Sequence, residues 1–466
     1  MTDTELELPQ GWANVELQNI SNVVDSAHKT PKYSLEGIPM VRVTDVKHRF
    51  LDLTKTKKVS KEIFKEFTKK YTPKKNDIIM TRVGTYGACS FVNTDESFCL
   101  GQNTIVINST FTNFLYYFFN SEIIKNQIEK NVVGSSQKTI SLKHIRELNI
   151  LLPPLNEQKR IVSKIEELFS KIDSTKQSME HTKLQLEQYR SSLLKSAFEG
   201  KLTEKWREQN KDNIQEIPNN DQLPFGWIKT TVNELSTKEK TAIRMGPFGS
   251  SLKKHELVNS GIRVLWIENI VNNKFEYKSG KFITKEKFQQ LSGFRVKAND
   301  ILVTMMGTIG RTAIVPNDIG TAIISSHLLK ISVEPSICIS KFLTLSLRGN
   351  PHVLKQLERK ASGVVMKGLN TKIIKNIELS LPSLEEQKEI ISQIEQGFSL
   401  IDNTSQMIHS TLQKLQTMKI SVLKQAFEGK LVPQDPNDEP ASVLLERIKS
   451  TKESQSTKQR RTKNVK

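Results

Sequence analysis

The chain has 466 residues, which is too long for one ordinary hydrophobic core and predicts two to four domains. Hydrophobic residues make up 36% and charged residues 26%, which excludes a globally disordered protein. The net charge of +19 favours a nucleic-acid partner, because Lys and Arg that neutralise phosphates release counterions; the alternative is a surface of solvated lysines.

Other broad classes are disfavoured by what the sequence lacks. The three cysteines, Cys89, Cys99 and Cys338, form no CxxC pair, which argues against a disulfide framework or a zinc knuckle. The opening MTDTELELPQ lacks the apolar segment of a secretory signal. No uncharged apolar stretch approaches the roughly 18 residues of a membrane span. We therefore expect a cytoplasmic protein with no membrane partner.

Residues 1–152 are predicted to form a first α+β head. Short β-rich stretches such as MVRVTDV, DIIMTRV and NTIVIN alternate with Gly, Asn and Lys turns. A helix is predicted over residues 112–129. The pairs of glycines in GTYG and, later, GTIG predict tight bends, either as plain turns or as backbone close to a ligand.

Residues 153–202 are predicted to form a long helix. Apolar residues recur with a period of 3.5 over about five heptads, which is typical of a coiled coil. The helix follows Pro153 and Pro154 and ends near Gly200, as helix start and stop signals require. Residues 203–222 are interpreted as a polar linker.

The second half of the chain repeats this order. Residues 223–381 are predicted to form a second α+β head, with a helix over residues 340–360, and residues 382–431 a second coiled-coil helix that pairs antiparallel with the first. Residues 432–450 are predicted to be an extension with a short helix. Residues 451–466 are strongly basic and have no apolar period, so they are predicted to be disordered.

The two halves are related by an internal repeat. At an offset of 229 residues, 27 of the 51 positions of residues 152–202 are identical in residues 381–431, without a gap. The heads share only framework phrases: LPQGW and LPFGW, KKNDIIMTRVGTYG and KANDILVTMMGTIG. The two long helices have thus stayed similar while the two heads have diverged in sequence. This pattern suits a ligand with two different half-sites.

Candidate DNA-binding residues come from basic or loop segments of the heads. Residues 55–75 hold nine Lys and two Glu, net +7, and GPFGSSLKKHE in the second head joins lysines to glycines and serines; a solvated face is the alternative. The loops GSSQKT and SGVVMKG differ between the heads, as sequence-reading loops should. Gln137 could read adenine, and Arg82 or Arg311 guanine. The candidates are Arg42, Thr44, Lys57, Lys58, Arg82, Ser135, Ser136, Gln137, Lys138, Ser250, Ser251, Lys253, Lys254, Asn269, Arg311 and Lys367.

Apolar residues outside the coiled-coil seam could dock partner helices. The alternative is that they only support the heads. The candidates are Val162, Phe169, Phe198, Ile391, Phe398 and Phe427.

No catalytic constellation is recognisable. The sequence has no GxxxxGK[ST] phosphate loop, no HExxH and no Asn/Asp-Pro-Pro-aromatic tetrapeptide of an amino-methyltransferase.

The order head, helix, head, helix, with LPxGW, NDI…GTxG, LPPLNEQKRIV, AFEGKL and LVPQDPNDEPASVLLERIK, resembles the specificity subunit of bacterial type I restriction–modification systems. The resemblance covers nearly the whole chain. It implies a fold of two α+β target recognition domains separated by two long antiparallel helices, and binding of a bipartite, asymmetric double-stranded DNA site.

The resemblance also implies partners. Two modification (methyltransferase) subunits and the restriction subunits would carry the chemistry that needs S-adenosylmethionine, ATP and Mg, while this chain would be non-catalytic and hold no cofactor or metal. Two other classes stay open: a coiled-coil scaffold whose heads bind protein, and a stand-alone enzyme with an unrecognised site.

Overall fold

The computed structural model describes residues 8–134, 138–214, 223–278, 280–305, 310–361 and 370–463. Up to the first long helix, the elements are β1 (Ala13–Glu16), α1 (Leu17–Ile20), β2 (Asn22–Asp25), β3 (Ile38–Val41), β4 (Lys57–Val59), α2 (Lys61–Phe67), β5 (Ile78–Thr81), β6 (Cys89–Phe91), β7 (Cys99–Leu100), β8 (Thr104–Asn108), α3 (Thr112–Phe119), α4 (Glu122–Asn131), α5 (Leu142–Arg146), β9 (Asn149–Leu152) and α6 (Leu155–Phe198).

The remaining elements follow the same plan. They are α7 (Glu204–Gln209), β10 (Ile228–Thr231), β11 (Ile243–Met245), β12 (Ile262–Leu265), β13 (Ile270–Val271), β14 (Lys274–Phe275), β15 (Phe282–Ile283), α8 (Lys285–Gln290), β16 (Arg295–Val296), β17 (Ile301–Thr304), β18 (Thr312–Ile314), β19 (Ala322–Ile324), β20 (Leu328–Ile331), α9 (Ser340–Gly349), α10 (Pro351–Ala361), α11 (Thr371–Lys375), β21 (Glu378–Leu381), α12 (Leu384–Phe427) and α13 (Ala441–Lys463).

The chain folds into two units, Met1–Met179 with Ser410–Lys466, and Glu180–His409. Each unit contains one head, the first part of the long helix that follows that head, and the last part of the other long helix. The predicted boundary between head and helix is therefore not a boundary between folded units, because both long helices contribute to both units.

The two heads have matching sheets. In the first, four strands lie in the order β2, β8, β5, β6 and three in the order β4, β3, β7; in the second, the orders are β11, β20, β17, β18 and β15, β12, β19, β16. The register is also repeated: Ile78 lies opposite Ile107, and Ile301 opposite Ile331. The parallel pair β3–β7 has its counterpart in β12–β19.

Repeated phrases encode repeated turns. In KKND and KAND, Asn76 and Asn299 adopt positive φ of 72° and 66°, which asparagine tolerates better than other side chains. The aspartate that follows accepts the backbone N–H of the lysine three residues earlier, at 2.8 Å in both heads. These phrases therefore recur because the same turn leads into the central strands β5 and β17.

A second repeated contact joins each long helix to a head. Gly200 and Gly429, in the two AFEGKL phrases, have φ of +74° and +71°, as a helix-terminating residue requires. A Cβ on Gly200 would lie 2.4 Å from Pro224 Cγ, and one on Gly429 2.5 Å from Pro9 Cγ. The helix end therefore packs directly on the proline of the LPxGW phrase.

The long helices pair antiparallel within each unit. In the first unit, Lys419 of α12 donates to Asp173 of α6 at 2.6 Å and lies 4.9 Å from the Phe169 ring. In the second, Arg190 of α6 donates to Asp402 of α12 and lies over the Phe398 ring at 4.3 Å. The repeat offset relates Lys419 to Arg190, so both pairs are copies of one arrangement.

Two segments that were predicted to be partly or wholly irregular contain more helix than expected. The predicted polar linker 203–222 contains α7, and its Arg207 is buried in an ion pair with Glu386 at 2.9 Å; residues 215–222 lie outside the described part. In place of the predicted short helix within 432–450 and the predicted disordered tail 451–466, one longer helix, α13, runs from Ala441 to Lys463; residues 464–466 lie outside the described part. Leu444, Leu445 and Ile448 pack against the first core, which explains the start of α13.

Candidate nucleic-acid interface

The first basic surface surrounds the strand pair β3–β4. Lys57 is exposed with its ammonium 4.5 Å from the centre of the Tyr33 ring, and Lys58 is half-buried on the same strand. Together with Tyr33, Ser34, Leu35 and Thr56 they line a cavity of about 400 Å³. Neither lysine forms an ion pair with another described residue. Their positive charge is available to a phosphate.

Arg42 and Thr44 lie in the turn after β3. The Nε and Nη2 of Arg42 each donate to the Asp45 carboxylate at 3.0 Å, and this bond raises the pKa of Arg42. Thr44 is exposed beside them. Arg42 thus already has a carboxylate partner, and Thr44 is the more accessible of the two.

Arg82 and the loop that contains Lys138 come together just after β5. The Ile140 N–H donates to the Arg82 carbonyl at 3.0 Å, and Val83 pairs with Thr139. The Arg82 guanidinium is only 12% exposed and donates to Asp25 at 3.0 Å, whereas Lys138 is exposed. Ser135, Ser136 and Gln137 lie outside the described residues, so their predicted roles stay predictions.

The basic stretch of the second head is an exposed loop after β11. Ser251, Lys253 and Lys254 are exposed there, beside the exposed ring of Phe248. Arg311 is exposed at the turn between β17 and β18. The side chain of Ser250 and all of Lys367 fall outside the part of the chain that the structure describes.

Asn269 is the candidate whose placement argues most clearly against a base contact. It is completely buried, its Oδ1 accepts the Trp266 N–H at 2.8 Å, and its Nδ2 donates to the carbonyls of Glu276 and Lys278. The amide is used to shape the turn after β12. This corrects the expectation that Asn269 faces DNA.

The sequence reasoning missed the aromatic partners of the cations. Arg263 lies 5.5 Å from the Tyr277 ring and 5.1 Å from the Phe282 ring, and Lys281 lies 4.3 Å from the Trp266 ring. Tyr277 is itself half exposed. The sequence pattern that could have predicted these contacts is the alternation of aromatic residues with Lys and Arg over residues 262–282, since bases stack on such surfaces.

The predicted docking residues are mostly covered by their own unit. Phe198 is buried against Phe342, and Phe427 is buried between Phe114 and Phe118. These two hold helix ends on the heads, which corrects the expectation that they face a partner. The others are half-buried against the cores or the opposing helix, and they are Val162, Phe169, Ile391 and Phe398.

Other apolar side chains on the long helices are exposed. They are about half or more exposed to solvent and comprise Leu184, Tyr189, Leu400, Met407, Met418 and Ile420. Exposed apolar surface on a helix is a candidate contact for another subunit.

Within the described residues, no group of three His, Cys, Asp or Glu side chains is arranged to hold a metal ion. None of the helices in that part of the chain is both long and apolar enough to cross a membrane.

Comparison with known families accounts for the repeated unit. Residues 9–183 and 247–415 match the family described as the type I restriction modification DNA specificity domain. Together the two matches span well over half of the chain. The chain belongs to this family.

Named relatives agree over almost the full length. The chain is 27% identical to the specificity subunit of the type I restriction enzyme EcoBI from Escherichia coli, over 96% of this chain and 93% of that protein. It is 24% identical to the EcoKI specificity subunit of Escherichia coli strain K12, over 95% of this chain and 96% of that protein.

Solved structures share the fold. The HsdS subunit from Thermoanaerobacter tengcongensis is 17% identical, with a TM-score of 0.56 over 92% of this chain and 100% of that one. A chain from a study of assembly and conformational transition of the type I R-M system is 16% identical, with a TM-score of 0.64 over 91% of this chain and 99% of that one. The predicted fold class, two α+β heads with long antiparallel helices, is confirmed.

Proposed function

We propose that this chain is the DNA specificity subunit of a type I restriction–modification enzyme, and that each head reads one half of a split, asymmetric DNA site. The observation that carries the proposal is the repetition of the framework beside the divergence of the loops. Turns, sheet register and helix contacts are copied between the heads, whereas basic and hydroxyl residues sit on loops that differ. Such loops give two readers with separate sequence preferences.

The charge distribution supports double-stranded DNA as the ligand. Exposed Lys57 and half-buried Lys58 on β4 of one head, and exposed Lys253 and Lys254 in a loop of the other, are placed where phosphates could be neutralised. Exposed hydroxyl and amide groups nearby would then supply base readout in a groove.

The proposal assigns the chemistry to partners. Two modification subunits would bind the exposed apolar side chains of the long helices, and restriction subunits would join that assembly. S-adenosylmethionine, ATP and Mg would be used in those subunits, while this chain would bind and orient DNA without a reaction of its own.

Sequencing of modified adenine in the host genome, with and without this gene, tests the proposal. The expected result is loss of methylation at one split motif, on both strands, when the gene is deleted. Survival of every motif would contradict the proposal and favour a protein-binding scaffold. Methyl transfer by the purified chain alone would contradict the division of labour and support an enzyme.

A further inference from the structure

Leu35 is the most exposed large apolar side chain in the described part of the chain. It is 99% exposed and lies in the loop between β2 and β3 of the first head. A single exposed leucine is common on protein surfaces. Whether the exposure of Leu35 indicates a function therefore depends on how rigid its loop is and on which residues surround it.

The loop holds Leu35 in a defined position. The Ser34 N–H donates to the Lys58 carbonyl at 2.9 Å, and Ser34 Oγ donates to the Glu36 carbonyl at 2.6 Å. Gly37 has φ of +132°, and a Cβ there would lie 2.3 Å from the Val59 carbonyl oxygen. Both neighbours of Leu35–Glu36 are thus tied to strand β4, and the side chain projects from a fixed backbone.

The surroundings are basic and aromatic. Leu35 lines the cavity of about 400 Å³ together with Tyr33, Lys57 and Lys58. The lysines have no carboxylate partner among the described residues. An apolar side chain that shares a cavity with two unneutralised lysines is poorly suited to the apolar centre of a protein interface, where charged residues are depleted. It suits a polyanion with an apolar interior, which is what a DNA duplex is.

The second head also has an exposed apolar side chain on a fixed loop with nearby lysines, although the loop sequence is unrelated. Phe248 is 58% exposed in the loop between β11 and β12. That loop is also clamped: a Cβ on Gly246 would lie 2.0 Å from the Ser325 carbonyl oxygen, and one on Gly261 2.4 Å from that of Ile283. Lys253 and Lys254 are exposed in the same loop. Gly261 corresponds to Gly37, so Leu35 and Phe248 lie in equivalent loops, although Leu35 is two residues and Phe248 thirteen residues before that glycine.

We propose that Leu35 and Phe248 are DNA insertion residues, each of which enters a groove and presses against a base step in its half-site. The neighbouring lysines would bind the flanking phosphates. Proteins that kink DNA use such apolar wedges, and the cost of unstacking depends on the base step, so the wedge contributes to specificity without a hydrogen bond. This inference rests on the proposed function and adds two specificity-determining residues to it.

The test uses the chain assembled with its modification subunits on its sequenced target. Duplexes carry 2-aminopurine at each step of one half-site, since its fluorescence rises when it unstacks. We expect the wild-type complex to raise fluorescence at one step in each half. Leu35→Ala should abolish the signal in one half and Phe248→Ala in the other, each with about tenfold weaker binding. Each variant controls for the other, and Ile337→Ala, at an exposed site outside both loops, should match wild type.

Three results would overturn the inference, and each is distinct from failure of the proposed function. Unchanged binding and fluorescence in both variants removes any DNA role for these side chains. Weaker binding with unchanged fluorescence excludes insertion. Loss of assembly with the modification subunits, with DNA binding retained by the assembled fraction, makes the residues a protein contact. A wild-type complex that binds no specific DNA would instead contradict the proposed function itself.

Discussion

One buried carboxylate differs in its partners between the two halves of the repeat. Glu386, at the start of α12, accepts hydrogen bonds from Trp227 Nε1 at 3.0 Å, Thr203 Oγ1 at 2.7 Å and Arg207 Nε at 3.0 Å. Glu157, its counterpart in α6, is equally buried, but its Oε1 has no hydrogen-bond partner among the described residues. Arg160 pairs with Asp438 at 2.6 Å. The same residue is therefore held by three donors in one unit, whereas in the other unit its Oε1 and the nearby Trp12 Nε1 have no geometric hydrogen-bond partner in the described part of the chain.

Replacement of Glu157 should stabilise the first unit at neutral pH. Burial raises the pKa of Glu157 above its usual 4.5, so the folded state holds the proton more tightly than the unfolded state. Its stabilising contribution is therefore full below about pH 4.5 and lost as the pH rises through the folded-state pKa. Glu157→Gln should raise the free energy of unfolding of the first unit at pH 7 by about 1 kcal/mol and flatten its decline between acid and neutral pH. Hydrogen exchange read unit by unit would measure both.

The matched change in the second unit should act in the opposite direction. Glu386→Gln leaves the Arg207 guanidinium buried without its counter-charge, and loss of one partner of a buried pair costs about 3–5 kcal/mol. The same hydrogen-exchange measurement should show the second unit opening more readily. Equal effects of the two substitutions would contradict the distinction drawn between Glu157 and Glu386.

At the scale of elements, repeated phrases made much of the fold predictable. The long helices were expected at 153–202 and 382–431 and lie at Leu155–Phe198 and Leu384–Phe427. Their period, prolines and terminal glycines are local signals that need no tertiary information. For the same reason, the repeated phrases KKND and KAND are recognisable in the sequence as copies, and both form the same turn in the structure.

Features that depend on tertiary contacts were not predictable in this way. Residues 203–222 were interpreted as a polar linker because Glu386, the partner of Arg207, is distant in sequence. The two short head helices expected at 112–129 and 340–360 are each broken, at the cap Ser121 and before Pro351. Base-reading candidates were the least predictable. Asn269 is buried and Thr44 is exposed, and residue type alone does not reveal that difference.

The paired long helices allow a direct test of one repeated contact. A double-mutant cycle of Arg190→Ala and Phe398→Leu should give a coupling energy of about 0.5–1 kcal/mol, since the guanidinium stacks on a partly exposed ring. The equivalent cycle of Lys419→Ala and Phe169→Leu should give a similar or smaller value, because ammonium stacks less well. Denaturant unfolding of the four variants in each cycle provides the numbers. A coupling near zero in both cycles would show that the stacking is incidental.

The C-terminal helix should be part of the first unit rather than an appendage. Ala441 is buried, Leu444, Leu445 and Ile448 pack on the first core, and Lys452 donates to the carbonyls of Gln18 and Asn19 at 2.9 Å. A chain that ends after Pro440 should lose about 3 kcal/mol of stability in the first unit through exposure of these apolar contacts. Limited proteolysis would detect the change in residues 8–134. A chain that ends after Glu453 is the control, and equal protection of both truncated chains would contradict this role.

At the scale of the whole molecule, the net charge of +19 has to be divided between structural and ligand-facing cations. Arg82 and Arg207 are bound to carboxylates and largely buried, so they stabilise their units. Lys57, Lys58, Lys253 and Lys254 are not in ion pairs with other described residues. Only cations of this second kind can release counterions from DNA when the complex forms.

The salt dependence of DNA binding should separate these two groups. In the assembled complex, the combined change Lys57→Ala and Lys58→Ala should make the plot of log affinity against log salt less steep by about 2, because each lost phosphate contact removes about 0.9 from the slope. Arg82→Ala should leave the slope unchanged while lowering the stability of the first head, since the largely buried Asp25 carboxylate would lose its guanidinium partner and keep only His28 among the described residues. Titration of labelled target duplex from about 50 to 200 mM salt measures the slopes. If the salt dependence became less steep for Arg82→Ala but not for the lysine pair, Arg82 would be the phosphate-binding residue and the two lysines would not. The phosphate contacts of the first head would then lie at the end of β5 rather than along β4.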